Sequence, residues 1–443
     1  MTQNFPRMML VDMNSFFASV EQQANPYLRG KPVGVCASLH ETSCIIGTSK
    51  ELKAMGIKNG FPTYLAKKIC PEVVLVQSEP EKYREVNRQI VRIFQDYTDR
   101  LEVYSIDEAF LEIPNNKVQI LNKFQNSKFK IQNPLLIGAE IKKRIREEVG
   151  EWLTCSVGIG HNKFLCKLAA DLEKPDGLTV IWRENLPEIY KSKKLTDLWG
   201  INHGWANRLA KLGIFNPGQL LGYPVQKLIS VFGKPGFYIW QRVNGLEEDE
   251  IPSSFTFDGD AARGDMRSAL GVTQTALRQT IRAAPPNNDL PKSFGHSWVL
   301  NFRTTDKDRL KIVILRLAEK AARRMRQAGF VASEIYLSVR LIDGNGMHCS
   351  KRLGFQLETG WQLYEEALKI WQNWQFPADV MHIAVGFTGL KLKSNQLSLF
   401  PEKFDNLIPT LDQINDRYGE FTIRPGLLTA TQDYAPDAIA FGR

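Results

Sequence analysis

Ser105-Ile106-Asp107-Glu108-Ala109 sets two adjacent carboxylates between two runs that alternate in polarity, Leu101-Glu102-Val103-Tyr104 before it and Phe110-Leu111-Glu112-Ile113 after it. A period of two marks a half-buried strand, so the pair lies at or near a hairpin turn. Neighbours on a regular strand point to opposite faces, and both acids can serve one site only where the backbone bends. Two hard divalent cations held by carboxylates about 3.5–4 Å apart are a standard device for phosphoryl and nucleotidyl transfer. A third carboxylate would complete such a site. Taken alone, an Asp-Glu pair is more often the exposed tip of a hairpin.

The start of the chain supplies the third acid. Met8-Met9-Leu10-Val11 is a short apolar run ending in Asp12, the pattern of a buried strand that delivers a ligand at its end. Asn14-Ser15 follows as an expected helix cap, and Phe16, Phe17 and Val20 then recur at helical spacing. The stretch from Val11 to Glu21, with Ser105 to Ala109 downstream, resembles the Y-family translesion DNA polymerases of bacteria in both order and spacing. The resemblance implies an α/β (α+β) right-hand polymerase, with a ferredoxin-like palm, small fingers, a helical thumb and a β-α-β-β-α-β little finger. It implies that Asp12, Asp107 and Glu108 are catalytic and, with Met13, hold two magnesium ions that manganese can replace. It places Phe16 at the triphosphate and makes Phe17 the steric gate against a ribose 2′-hydroxyl. The partners implied are primer-template DNA and dNTPs.

A chain of 443 residues, 43% hydrophobic, is long enough for about two to four domains with buried cores. A formal charge of +9 suits a polyanionic partner, although a basic balance by itself is weak evidence. The six cysteines form no C-x-x-C pair and no zinc pattern, and read as reduced thiols. With no signal peptide and no apolar run of about 18 residues, the expected setting is a reducing cytoplasm at the nucleoid, with no membrane partner.

The resemblance divides the chain into palm (1–12 and 79–177), fingers (13–78), thumb (178–246), linker (247–290), little finger (291–393) and tail (394–443). In the fingers, the line from Ile45 to Lys58 is expected to grip the triphosphate through Thr48, Lys50 and Lys53. Many members carry Tyr and Arg where this chain has Lys50 and Lys53, so the grip would be by point charge rather than planar and bidentate. Tyr83, Val86, Ile90, Ile93, Phe94 and Tyr97 mark an amphipathic helix, residues 115–133 read as a loop, and Ile137 to Val149 resumes helical spacing. Cys155 to Gly160 reads as a strand entering a glycine turn. A helix bearing Lys163 and Lys167 four apart follows, one face near a positive helix start, and the resemblance gives Lys167 a triphosphate contact.

Gly200 to Ile214 looks like the first half of a helix-hairpin-helix, whose turn at Gly200, Asn202 and Gly204 would hold a DNA phosphate. Asn202 stands where the family usually has Gly, and Asn tolerates the left-handed conformation. Residues 247–290 read as a linker longer than usual, with an added element from Arg267 to Arg282 to which no purpose attaches. Beyond it, the strand and helix periods give a β-α-β-β-α-β order, a ferredoxin-like unit in the place of the little finger. Its first helix carries Arg309, Lys311, Arg316, Lys320, Arg323, Arg324 and Arg326 against Glu319, as expected of a phosphate-facing surface. In the tail, Gln396, Leu397, Leu399 and Phe400 look like the peptide that docks bacterial polymerases to the sliding clamp, the enzyme being otherwise monomeric. Leu407, Leu411, Ile414 and Tyr418 hint at one more helix.

Two rival readings compete. A nucleotide cyclase could use the same carboxylates but has no need of a helix-hairpin-helix or a clamp peptide. A non-catalytic recruitment subunit would explain those two, yet would not need Asp12, Asp107 and Glu108 together. Low-fidelity, template-directed DNA synthesis across lesions accounts for all of them.

Overall fold

Strand β1 (Met8–Met13) is buried along its whole length and lies at the centre of a five-stranded sheet. Its partners are β6 (Glu108–Glu112) and β7 (Cys155–Gly160), both antiparallel; β5 (Leu101–Ser105) and β8 (Leu178–Val180) complete the order β5-β6-β1-β7-β8. The run Met8 to Val11 lacks alternation because both faces of β1 are covered. Met9, Val11 and Met13 pack with α1 (Phe16–Ala24), α4 (Pro80–Gln95) and α5 (Pro134–Arg144), whereas Met8 and Leu10 meet Cys166 and Ala170 of α6 (Lys163–Leu172). Over β1, β5, β6 and β7 the weave is ferredoxin-like, the first strand lying between the third and fourth. Helix α6 lies so close to β7 that a Cβ on Gly158 would stand 2.0 Å from the Cys166 carbonyl oxygen, which makes glycine obligatory there.

The computed structural model describes residues 6–40, 43–113, 133–246, 251, 291–393 and 407–429. The expected loop before Asn133, all of the linker except Ile251, and the clamp peptide lie outside them. A second sheet, β3-β2-β4, comprises β2 (Val33–Cys36), β3 (Ile45–Thr48) and β4 (Val74–Gln77). It has its own small core with α2 (Lys50–Ala54) and α3 (Thr63–Ile69). Helices α7 (Leu186–Lys191), α8 (His203–Ala210), α9 (Pro217–Leu221), α10 (Val225–Phe232) and α11 (Lys234–Val243) pack with the apolar face of α6.

Three local expectations are corrected. Ser15 does not cap α1 through its side chain. It is left-handed (φ 51°), and Asn14 instead accepts from Ser156 Oγ (3.0 Å) and donates to Thr154 Oγ1 (3.2 Å) across the sheet. Helix α1, placed with the fingers by sequence, shares the core of the large sheet through Phe16, Phe17 and Val20. The helix from Ile137 begins earlier, at Pro134, and ends in a π turn over Ile145–Val149.

The C-terminal unit runs β9 (Phe294–Val299), α12 (Lys307–Gln327), β10 (Phe330–Leu341), β11 (Gly346–Leu357), α13 (Gly360–Trp371) and β12 (Val380–Leu392), the expected order. Its weave is not ferredoxin-like. The sheet is β11-β10-β12-β9, because β12 pairs with β10 from Phe330↔Leu392 to Leu341↔Val380, taking a central place and leaving the first strand at the edge. Helix α14 (Leu407–Tyr418) is the extra helix of the tail.

Candidate active site

Asp12, at the end of β1, stands directly opposite Glu108 of β6 and Ser156 of β7. Side chains so paired across antiparallel strands have Cβ atoms about 4.5–5.5 Å apart, close enough for one ion to touch both. Asp107 reaches the same end through the bend that its neighbourhood demands. The β5–β6 register slips between Val103 and Ser105, and the Asp107 carbonyl accepts from the Met13 amide at 2.8 Å. Ser105 Oγ donates to Asp107 Oδ1 at 2.5 Å, and Asn87 Nδ2 holds the Ile106 carbonyl at 2.9 Å. Burial raises the Glu108 pKa. Lys167 pulls it back, and Asp12 and Asp107 push it further up.

Positive charge converges on these acids. Lys167 Nζ lies 2.7 Å from Asp12 Oδ2 and 2.5 Å from Glu108 Oε2; Lys174 Nζ lies 2.8 Å from Asp12 Oδ2 and 2.7 Å from Asp171. Burial works against the charge on Lys167, but Asp12 and Glu108 outweigh it and the pKa moves upward. Lys53 shifts down, through desolvation of its ammonium and the nearby Lys174, with Asp12 and Asp107 opposing. Lys163, one turn before Lys167, goes elsewhere, to Glu102 at 2.7 Å. Lys50 also turns away, its ammonium 4.9 Å from the Trp152 ring and 3.9 Å from Glu51. Thr48 is buried, its hydroxyl donating to Asn59 Oδ1 at 2.9 Å. Lys174 escaped the sequence reading because it falls past the end of α6, outside the helical period; the Lys174-Pro175-Asp176-Gly177 turn was its available signal.

The donor set suits a hard divalent cation, since Asp12, Asp107 and Glu108 offer carboxylate oxygens. Two ammonium groups drawn to the single oxygen Asp12 Oδ2 show the excess negative charge that a cation would neutralise. Among the described residues no three acidic, cysteine or histidine side chains already close around one point. The lysines hold two of the acids instead.

Residues 11–171 match the impB/mucB/samB family and residues 291–399 match that family's C-terminal domain. DNA polymerase IV of Moorella thermoacetica is 31% identical over 94% of this chain and 94% of its own. The chain belongs to the Y family of DNA polymerases. DNA polymerase IV of Bacillus velezensis is 27% identical over 98% of this chain and 95% of its own. A solved Y-family DNA polymerase chimera, 22% identical, superposes with a TM-score of 0.64 over 87% of this chain and 99% of that one, a likeness of fold. The polymerase is a DNA-directed nucleotidyltransferase of translesion synthesis, it binds DNA and dNTPs, and it depends on divalent metal. The recruitment-only reading is not favoured.

Elsewhere in the polymerase two expectations change. At the thumb turn, the left-handed residue is Gly200 (φ 83°), not Asn202, which is extended and caps α8 by accepting from the Trp205 amide at 2.9 Å; Gly204 lies inside α8. On α12, Lys320, Arg323 and Arg326 meet protein acids rather than facing open solvent for phosphate. Arg326 grips Asp412 through two bonds of 2.8 and 2.7 Å, Arg323 pairs with Asp416, and Lys320 lies 3.1 Å from Glu420. Arg324 is exposed on the same helix. The sequence census missed these partners because they lie some ninety residues downstream. Among the described residues, the sheet face away from α12 and α13 is left uncovered; there Tyr336 pairs with Ser350, Ser338 with His348 and Glu334 with Arg352. Among the described residues no helix is long and apolar enough to cross a membrane.

Proposed function

We propose that Asp12, Asp107 and Glu108, with the Met13 carbonyl, hold two magnesium ions at which the primer 3′-end receives a nucleotide. The observation that carries this reading is that Asp12 and Glu108, partners across β1 and β6, share one ammonium while the Asp107 turn is bonded to Met13. Bound there, the ions supply charge stabilisation for the attacking and leaving oxygens of an in-line displacement. The chain's own residues do the rest. Lys53, Lys167 and Lys174 bring positive charge to the triphosphate, whereas Lys50 is engaged with Trp152. Phe16 backs Phe17, their ring centroids 5.8 Å apart, and Phe17 excludes the 2′-hydroxyl by bulk.

We assign the large sheet to a palm, the small sheet to fingers, α7 to α11 to a thumb and the C-terminal sheet to a little finger. Its open face, rather than the α12 arginines, is the surface we assign to duplex DNA. Asp107→Asn and Glu108→Gln should each abolish primer extension in magnesium while leaving DNA affinity nearly unchanged. Extension near the wild-type rate would overturn the assignment. Gln396, Leu397, Leu399 and Phe400 remain the proposed clamp peptide, outside the described residues. Alanine at Leu399 and Phe400 should remove clamp-stimulated synthesis and spare clamp-free insertion, and stimulation that persists would place the docking site elsewhere.

A further inference from the structure

Phe17 is buried against α4, its ring centroid 4.6 Å from that of Tyr83 with the planes inclined by 32°. Tyr83 is fully buried, and its hydroxyl donates to Glu21 Oε1 at 2.6 Å. Glu21 sits one turn after Phe17 on the same helix α1, and its other carboxylate oxygen holds Lys82 Nζ at 2.9 Å. The contacts therefore close a loop from Phe17 to Tyr83, through the hydroxyl to Glu21, and back along α1. Strand β3 presses on the same side chain at its root. A Cβ on Gly47 would stand 2.8 Å from Phe17 Cβ and 3.2 Å from Cδ2, so the β3 backbone comes as near as a side chain allows.

This matters because a gate that works by bulk is only as selective as it is stiff. The χ2 torsion of a phenylalanine is broad, so packing rather than intrinsic torsion must hold the ring. A hydroxyl added to a substrate is rejected by an apolar wall by on the order of a hundredfold, and a wall that yields loses much of that. A buried, fully partnered network fixes its members more firmly than a single contact does.

We infer that Tyr83 is a positioning residue for sugar discrimination, holding the Phe17 ring in place from α4 while Gly47 gives that ring its seat. The inference rests on Phe17 being the gate. The test is single-nucleotide insertion by the full-length enzyme on primer-template DNA with magnesium, comparing kcat/KM for a dNTP and the matching rNTP. Tyr83→Leu and Tyr83→Met, which fill the space without a flat ring, should each lower the deoxy-to-ribo ratio by about tenfold through improved rNTP use. Tyr83→Phe, which keeps the ring and loses only the hydroxyl's bond to Glu21, should lower the ratio by less than either. In a Phe17→Ala background, Tyr83→Leu should add nothing.

If Phe17→Ala leaves the ratio unchanged, the gate reading fails and the inference falls with it. If Phe17→Ala lowers the ratio but neither Tyr83→Leu nor Tyr83→Met does, the gate stands and the positioning role of Tyr83 is overturned. Equal losses for dNTP and rNTP would likewise overturn it, since they mark a merely structural residue. Thermal unfolding of each variant identifies one that fails to fold, and the other then decides.

Discussion

Asp412→Asn should loosen the tail helix from the little finger without touching catalysis. The Asp412 carboxylate receives both Nε and Nη2 of Arg326 at 2.8 and 2.7 Å, and the two side chains are only 19% and 12% exposed. Charge-assisted, bidentate and largely screened from water, such a pair is worth about 2 kcal/mol. An asparagine keeps the shape, loses one good acceptor and leaves the guanidinium short of a partner, although Arg326 Nη1 still donates to the Glu358 carbonyl at 3.1 Å. At about 1.4 kcal/mol per factor of ten, local opening of α14 becomes roughly thirtyfold more frequent. Hydrogen exchange of the amides from Leu407 to Tyr418 measures this directly. Unchanged protection would show that Leu428, buried in the same core, holds the tail without the ion pairs. Duplex affinity provides a second reading. It should stay level if DNA lies on the open sheet face, and a clear gain would return the phosphate surface to α12.

Gly158→Ala should be among the most damaging single changes in the chain. The new Cβ would meet the Cys166 carbonyl oxygen at 2.0 Å and the Ala170 nitrogen at 2.3 Å, both backbone atoms of α6, so the helix must lift and carry Lys167 with it. A loss above about 4 kcal/mol is expected, seen in thermal unfolding, and wild-type stability would refute the close approach. Glu319→Gln tests a pH effect. Burial raises the Glu319 pKa, against Arg326 and together with Asp412, so the folded chain favours the protonated form. Stability from this group is full below the ordinary carboxylate range and is lost as pH climbs to the raised value. The variant should flatten that decline and unfold at higher temperature near neutral pH, and an unaltered pH profile would count against it.

What the sequence determined by itself is what short-range pattern encodes. The apolar run into Asp12, the alternating flanks of Asp107-Glu108, the helical period through Lys167 and the β-α-β-β-α-β order each depend on a few neighbouring residues, and each is found in the fold. The tertiary structure decided where long side chains end and which strands lie side by side. Lys163 and Lys167 share one helix face, yet Glu102 across the sheet captures one and Asp12 with Glu108 the other. Lys174 joins them from beyond the helix. The weave of the C-terminal sheet differs from that of the palm although the element order is the same, because order constrains connections and only the β10–β12 pairing selects neighbours. The basic face of α12 met acids from Asp412 to Glu420, a contact between segments far apart in the chain. Charge counted along one helix cannot reveal the charges that folding lays upon it.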